Sequence, residues 1–319
     1  MNIVYTFDDG YSDITAVSLL SLLKSNTALQ ELNIYIIDCG ISAANKKMLS
    51  DISQSFGRKT EFITAPPLES LLDCNVDCKS WSMVCFVRLF YSELLPDHIE
   101  TVVHVDCDTM IVGSFSALEN IDLKDDYCAA CYDCTPEPMR QMPGASHNKY
   151  FSNGLFVMNL KKWRTDNIKN RFLEYIEQYH DNLPHLDQDV INGTIADKIM
   201  ILPAEFNIMP LIVMYGGLVN GLFKKEEQFY TKEELDNAVR NPVMLHITGF
   251  KYYSRPWMTV SYYPYTKTWR KYAESLPEPF NYRPQKNKIG FARRFKYKMW
   301  SKLTRIPFFK KVLFNIEYK

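Results

Sequence analysis

The stretch "ETVVHVDCDTMIVG", residues 100–113, begins as an apolar run and breaks off in two carboxylates. Val102, Val103 and Val105 with His104 leave no polar face, which predicts a central strand buried on both sides of a sheet. Asp106 and Asp108 stand where that strand would emerge. In extended chain they share a side, and Cys107 turns the other way into packing. A D-x-D alone also suits a solvated strand end, so its meaning depends on the rest of the chain.

Outward from this strand, β-rich runs alternate with helical patterns. "NIVYTF" (2–7) precedes "YSDITAVSLLSLLKSN" (11–26), whose Ile14, Val17, Leu20 and Leu23 recur at helical spacing and whose Ser12 can cap it. "LNIYIID" (32–38), a helix over 42–56 and "KTEFITA" (59–65) follow, and a helix over 80–96 stopped by Pro96 leads into the central strand. Beyond it come strands in "YCAACYDC" (127–134) and "YFSNGLFVMNLKKW" (150–163), helices from 171 and 187, and strands in "IMILPAEFN" (199–207) and "VMLHITG" (243–249). This alternation is the pattern of βαβ units and a largely parallel α/β sheet.

Ligands of such sheets bind beyond the carboxyl ends of the strands. Asp8 and Asp9, Asp106 and Asp108, Asp133 and His246 all fall there, five carboxylates and an imidazole on one rim. Such a cluster is costly without a cation. Two carboxylates and an imidazole suit Mn²⁺ or Mg²⁺ with positions left for substrate oxygens, and hence a nucleotide diphosphate. No P-loop or G-x-G-x-x-G is present to suggest other nucleotide sites. On the residues alone, metal–nucleotide binding and a solvated acidic rim both stand.

Composition bounds the rest. At 319 residues with 46% apolar content the chain can bury a large core. Residues 281–319 hold twelve Lys/Arg and one acid, Glu317, whereas 1–280 hold 25 basic against 36 acidic residues, a net of −11. An acidic body with a separate basic tail is expected. "MNIVYTFDDG" has no basic n-region and no run is long enough to span a bilayer, so the expectation is a cytoplasmic protein with thiols reduced. Cys128, Cys131 and Cys134 lie in a strand-like alternation without a fourth Cys at cluster spacing, and read as free.

Seven stretches in order carry a family resemblance: "IVYTFDDGY", "IIDCGISAANKKML", "VRLFYSELLP", "VVHVDCDTMIVGSF", "YFSNGLFVMNLKKWR", "DQDVIN" and "HITGFKYYSRPW". Over residues 1–260 the chain resembles the retaining glycosyltransferases of family 8, in particular their bacterial lipooligosaccharide galactosyltransferase branch. The resemblance implies a GT-A fold, one Rossmann-like nucleotide-diphospho-sugar transferase domain with a mixed, mainly parallel sheet. It implies a UDP-hexose donor, galactose or glucose, with Mn²⁺ (or Mg²⁺) held by Asp106, Asp108 and His246. Asp8 would face the nucleoside, Arg88 the donor, and Lys251 or Arg255 the diphosphate. Asp9, Tyr11, Cys107, Asn153 and Gly249 complete the implied donor set, with Asp133, Asp187 and Gln188 around the transferred sugar. Departures are Gly10 for a common Asn, a shifted Ser152-Asn153-Gly154, and three extra residues before Arg255-Pro256. Gln188 would face the anomeric carbon and is a poor nucleophile, which favours same-face attack over double displacement. A non-catalytic nucleotide-sugar or glycan-binding relative is the alternative.

The tail "IGFARRFKYKMWSKLTRIPFFKKVLF" (289–314) interleaves aromatic and aliphatic residues with Lys and Arg. It predicts peripheral attachment of residues 281–319 to an anionic membrane surface, the inner face of the cell membrane, rather than nucleic-acid binding. Residues 1–280 would form the catalytic domain, with a saccharide or lipid-linked saccharide as acceptor. His104 reads as a core residue, His185 as a loop residue that either lines an acceptor pocket or has no role.

Overall fold

Short apolar runs and turn-bounded helices assemble in this computed structural model into one mixed sheet flanked by helices. It describes residues 1–67, 70–72, 76–78, 82–142, 148–249, 255–277, 282–287 and 289–318. The strands are β1 (Asn2–Phe7), β2 (Asn33–Asp38), β3 (Thr60–Thr64), β4 (Thr101–Val105), β5 (Thr109–Ile111), β6 (Cys128–Tyr132), β7 (Phe151–Asn159), β8 (Ile199–Ile201) and β9 (Met244–His246). Seven form a sheet in the order β3-β2-β1-β4-β7-β6-β8. β4 lies in the middle with Val102 through Val105 buried, as its two apolar faces require. β1–β2, β2–β3, β1–β4 and β6–β8 pair parallel, while β7 runs antiparallel to both β4 and β6. The α/β, mixed and mainly parallel architecture is that expected from the alternation.

β5 and β9 stand apart as a two-stranded antiparallel ribbon. Its register places Thr109 opposite His246, and Ile247 N donates to Asp108 O at 2.7 Å. The chain leaving β4 therefore turns through Asp106–Asp108 directly into β5, which pairs with the strand that carries His246. His246 is the last residue of its strand, not a residue beyond it.

Two helix expectations need correction. Met83–Phe90 is 3-10, capped by Ser82 Oγ, and only Tyr91–Leu94 is α-helical before Pro96. Ser12 does not cap the helix Ser12–Ser25: its Oγ is buried without a hydrogen-bond partner and Tyr11 is the N-cap. Asp8 caps the short turn ahead of it instead, accepting from Gly10 N.

The basic tail forms helices Phe291–Leu303 and Pro307–Tyr318. Trp300, Leu313 and Phe314 are buried in the main core, and Trp300 Nε1 donates to Tyr215 OH at 3.1 Å. The tail is thus packed on the body along one face. No helix among the described residues is long and apolar enough to cross a membrane.

Candidate active site

The carboxyl ends of β1 and β4, the start of β7 and the helix Asp187–Ile195 surround a cavity of about 500 Å³. Thr6, Phe7, Asp8, Tyr11, Cys85, Arg88, Asp106, Cys107, Asp108, Asn153, His185, Asp187, Gln188 and Arg255 line it with Ser82 and Val84. It lies where an open α/β sheet binds ligands.

Asp106, Asp108 and His246 come together at its edge, one ligand atom of each within 4.8 Å of the others. His246 Nε2 lies 3.5 Å from Asp106 Oδ2 and 3.3 Å from Asp108 Oδ1. Cys107 and Asp108 form a turn, so the shared direction of the two carboxylates comes from that turn and the β5–β9 register, not from strand alternation. Burial would lower the His246 pKa, but its bond to Asp108 and the charges of Asp108, Asp106 and Asp133 outweigh this and raise it. Two carboxylate oxygens and an imidazole nitrogen, converging and largely buried, fit a hard-to-borderline divalent cation. Arg255 Nη2 lies 3.4 Å from Asp108 Oδ2, and its Nη1 donates to Tyr11 OH at 3.4 Å.

Arg88, almost fully buried, ties the two halves of the site together. Its Nη1 lies 3.0 Å from Asp106 Oδ1 and its Nε 3.0 Å from Asp187 Oδ2, while Nη1 also donates to the Asn153 carbonyl at 3.0 Å. Burial would raise the Asp106 carboxyl, but Arg88 and then His104 hold it well below the usual carboxylate range. Burial pushes Asp187 up to about 6 against the pull of Arg88. Burial, then Arg88, brings His104 down to about 4, leaving a neutral ring at pH 7. Its Nε2 lies 2.8 Å from Arg88 Nη1 and 3.0 Å from Asp106 Oδ1, and its Nδ1 lies 2.9 Å from Tyr91 OH. The expected core role of His104 holds, with the addition that the core here props the arginine.

Gln188 is pinned at both ends of its amide: Nε2 donates to Asp133 Oδ2 at 3.1 Å and Oε1 accepts from Asn153 N at 3.0 Å. Asn153 Nδ2 and the Cys85 thiol both donate to Asp187. Leu186, just before, is buried at φ +50°, a strained conformation that turns the start of the helix into the cavity.

A family model described as glycosyl transferase family 8 matches residues 2–260. The chain belongs to that family. Membership makes it a glycosyltransferase, with a nucleotide-sugar donor and a saccharide acceptor. It is 25% identical over 303 residues to the lipopolysaccharide 1,2-glucosyltransferase of Escherichia coli K12, covering 93% of this chain and 85% of that one. It is 26% identical over 269 residues to general stress protein A of Bacillus subtilis, 83% and 90% of the two chains. A Haemophilus influenzae relative matches at 27% over 221 residues, 66% of this chain and 64% of that one. Among solved structures, the galactosyltransferase LgtC in complex with donor and acceptor sugar analogs superposes with TM-score 0.73 at 24% identity, over 93% of this chain and 100% of the other. That likeness establishes a shared fold, while the family model and the lipopolysaccharide glycosyltransferase relatives uphold the resemblance to family 8 and its lipopolysaccharide-type branch.

Not every residue expected at the family 8 site lies in the cavity. Asp9 turns away: its Oδ1 accepts from Ser42 N at 2.8 Å and Asn45 Nδ2 at 2.7 Å, at the start of the helix Ala43–Gln54. Asp133 sits behind Gln188 rather than on the wall, and Gly249 is exposed outside the lining. The Cys107 thiol donates to Thr6 O at 3.5 Å while the residue edges the cavity. Lys251 lies outside the described residues. His185, left open by the sequence, lines the cavity, and its buried Nδ1 has no hydrogen-bond partner. Cys85 went unnoticed because a cysteine before Arg88 carries no motif. The Cys128, Cys131 and Cys134 thiols are free and buried, as expected.

Proposed function

We propose that the protein is a retaining hexosyltransferase that moves galactose or glucose from a UDP-sugar to a saccharide of a surface glycan such as lipopolysaccharide or capsule. The convergence of Asp106, Asp108 and His246 at the cavity edge beside Arg88 carries this reading. The names of relatives support the glycan class: besides the glucosyltransferase above, a lipopolysaccharide 1,3-galactosyltransferase of Salmonella typhimurium is 22% identical over 279 residues.

Asp106, Asp108 and His246 would hold Mn²⁺ or Mg²⁺, which when bound supplies positive charge to the leaving diphosphate. Asp8 and Tyr11, at the end of β1, would face the nucleoside, and Arg255 would supply a bidentate cation to the phosphates. Asp187 is held by Arg88, Asn153 and Cys85, so it acts as a fixed negative charge toward an oxocarbenium-like centre. Gln188, an amide bonded at both ends, orients the sugar with Asp133 behind it and does not attack. This favours same-face attack over a covalent intermediate.

Residues 1–280 then form the catalytic domain and 281–319 the attachment segment. Phe291, Phe295 and Met299 on one helix, and Phe308, Val312 and Ile316 on the next, are exposed at four-residue spacing. With Arg293, Arg294, Lys310 and Lys311 alongside, these stripes fit an anionic bilayer surface, the inner face of the cell membrane. A screen of UDP-sugars with Mn²⁺, reading binding, hydrolysis and transfer, tests the function. Turnover of a UDP-hexose supports it. A donor that binds and is never turned over would favour a non-catalytic nucleotide-sugar-binding relative.

A further inference from the structure

We infer that Asn207 and Gly154 are positioning residues for His246, forming the socket that presents its Nε2 to a cation; this rests on the metal site proposed above. Asn207 is fully buried, and its Oδ1 lies 3.1 Å from His246 Nδ1. A neutral imidazole has one N–H. Placed on Nδ1, it donates to Asn207 and leaves the Nε2 lone pair facing Asp106 and Asp108, at 3.5 and 3.3 Å. In the other tautomer an N–H points at the two carboxylates and no lone pair remains for a metal. The acceptor at position 207 therefore selects the ligating tautomer, as groups behind metal-bound histidines do.

Asn207 is placed for this by backbone bonds next to it. Ile208 N donates to Met244 O and His246 N to Ile208 O, each at 3.0 Å, so residue 207 is registered against β9. The other end of its amide, Nδ2, is buried without a hydrogen-bond partner. Here the side chain is oriented by what Oδ1 meets.

Gly154 makes room for the same ring. A Cβ built there would collide with Nδ1 and Cε1 of His246 and stand 3.0 Å from Cγ, so its three nearest neighbours all belong to that ring. The same residue's carbonyl accepts from Asp106 N at 3.0 Å. One glycine thus leaves room for the imidazole and anchors the backbone of a carboxylate beside it.

The test uses the full chain with Mn²⁺ as probe. Mn²⁺ affinity is measured by calorimetry or by the electron paramagnetic resonance of free Mn²⁺, and the His246 tautomer by ¹⁵N shifts in the metal-free protein at a pH high enough for the ring to be neutral. Asn207→Ala should weaken Mn²⁺ about 10- to 100-fold and shift His246 away from the Nδ1–H form. Asn207→Asp, which keeps an acceptor, should restore both. Gly154→Ala should lower the melting temperature, and this loss should shrink when His246→Ala is added, because the Cβ then finds space. Wild-type Mn²⁺ affinity in a folded Asn207→Ala protein, with an unchanged tautomer, would overturn the inference and leave the metal site standing. Additive losses in the Gly154–His246 cycle would overturn the glycine's part. A wild-type chain that takes up no Mn²⁺ would overturn the metal site and the inference together.

Discussion

Arg88 shows how one side chain can organise a site. It bonds to Asp106, Asp187, His104 and the Asn153 carbonyl from a nearly dry position. Lysine has one point charge and cannot fan out to these partners. Arg88→Lys should therefore cost about 3 kcal/mol or more of stability in denaturant titrations, by leaving a buried carboxylate under-compensated. Asp187 sets a second expectation. Its donors all favour the ionised form, yet burial holds its pKa at about 6. Turnover at saturating metal should fall with an acid limb near that pH, and Asp187→Asn should flatten the limb by being slow throughout. The sign for stability is opposite. Because the folded chain binds this proton more tightly than the unfolded chain, the contribution of Asp187 to stability falls as pH rises from about 4 to about 6. At this scale much was legible: Asp106, Asp108 and His246 stand at strand ends, where the order of strands and helices and the chemistry of the three side chains place them. Asn207 and Gly154 were not, since a lone asparagine and a glycine give no signal until the ring they adjoin is placed. Asp8 and Asp9 could not be told apart, because a turn after β1 decides which one faces the cavity.

The elements that matter most are the ribbon and the two terminal helices. Each ribbon strand has three residues, too few to display periodicity, so the device that joins Asp108 to His246 was invisible beforehand. The central strand β4 was plain because four consecutive buried residues need cover on both faces. The 3-10 run Met83–Phe90 reads as α-helix from composition, since both present apolar residues at similar spacing. The terminal helices were expected as a detachable tail. Their buried Trp300, Leu313 and Phe314 instead bind them to the body, so cutting near Asn281 would also uncover Tyr215 and its neighbours. Point changes are the cleaner probe: replacing Phe291, Phe295 and Phe308 together by Ser should reduce co-sedimentation with anionic vesicles about tenfold or more. The melting temperature should hardly change, because these rings are exposed. Unchanged vesicle binding would dismiss the surface.

Across the whole molecule, a mixed sheet brings acids from four separated segments to one rim, and an arginine and a histidine make that rim tolerable. The terminal helices pack on the body, with Trp300 buried and hydrogen-bonded to the Tyr215 hydroxyl and Phe314 against the Tyr215 ring. Trp300→Ala should lower unfolding stability by about 3 kcal/mol in chemical denaturation while leaving donor affinity intact. The central claim is metal-dependent sugar transfer at Asp106, Asp108 and His246. It is tested most directly by UDP release from UDP-galactose and UDP-glucose, with Mn²⁺ and after chelation, in the wild type and in Asp106→Ala. The expected result is Mn²⁺-dependent release from one of these donors, lost on chelation and reduced by about 10³-fold or more in the variant. Equal release by the folded variant, or release indifferent to metal, would contradict it.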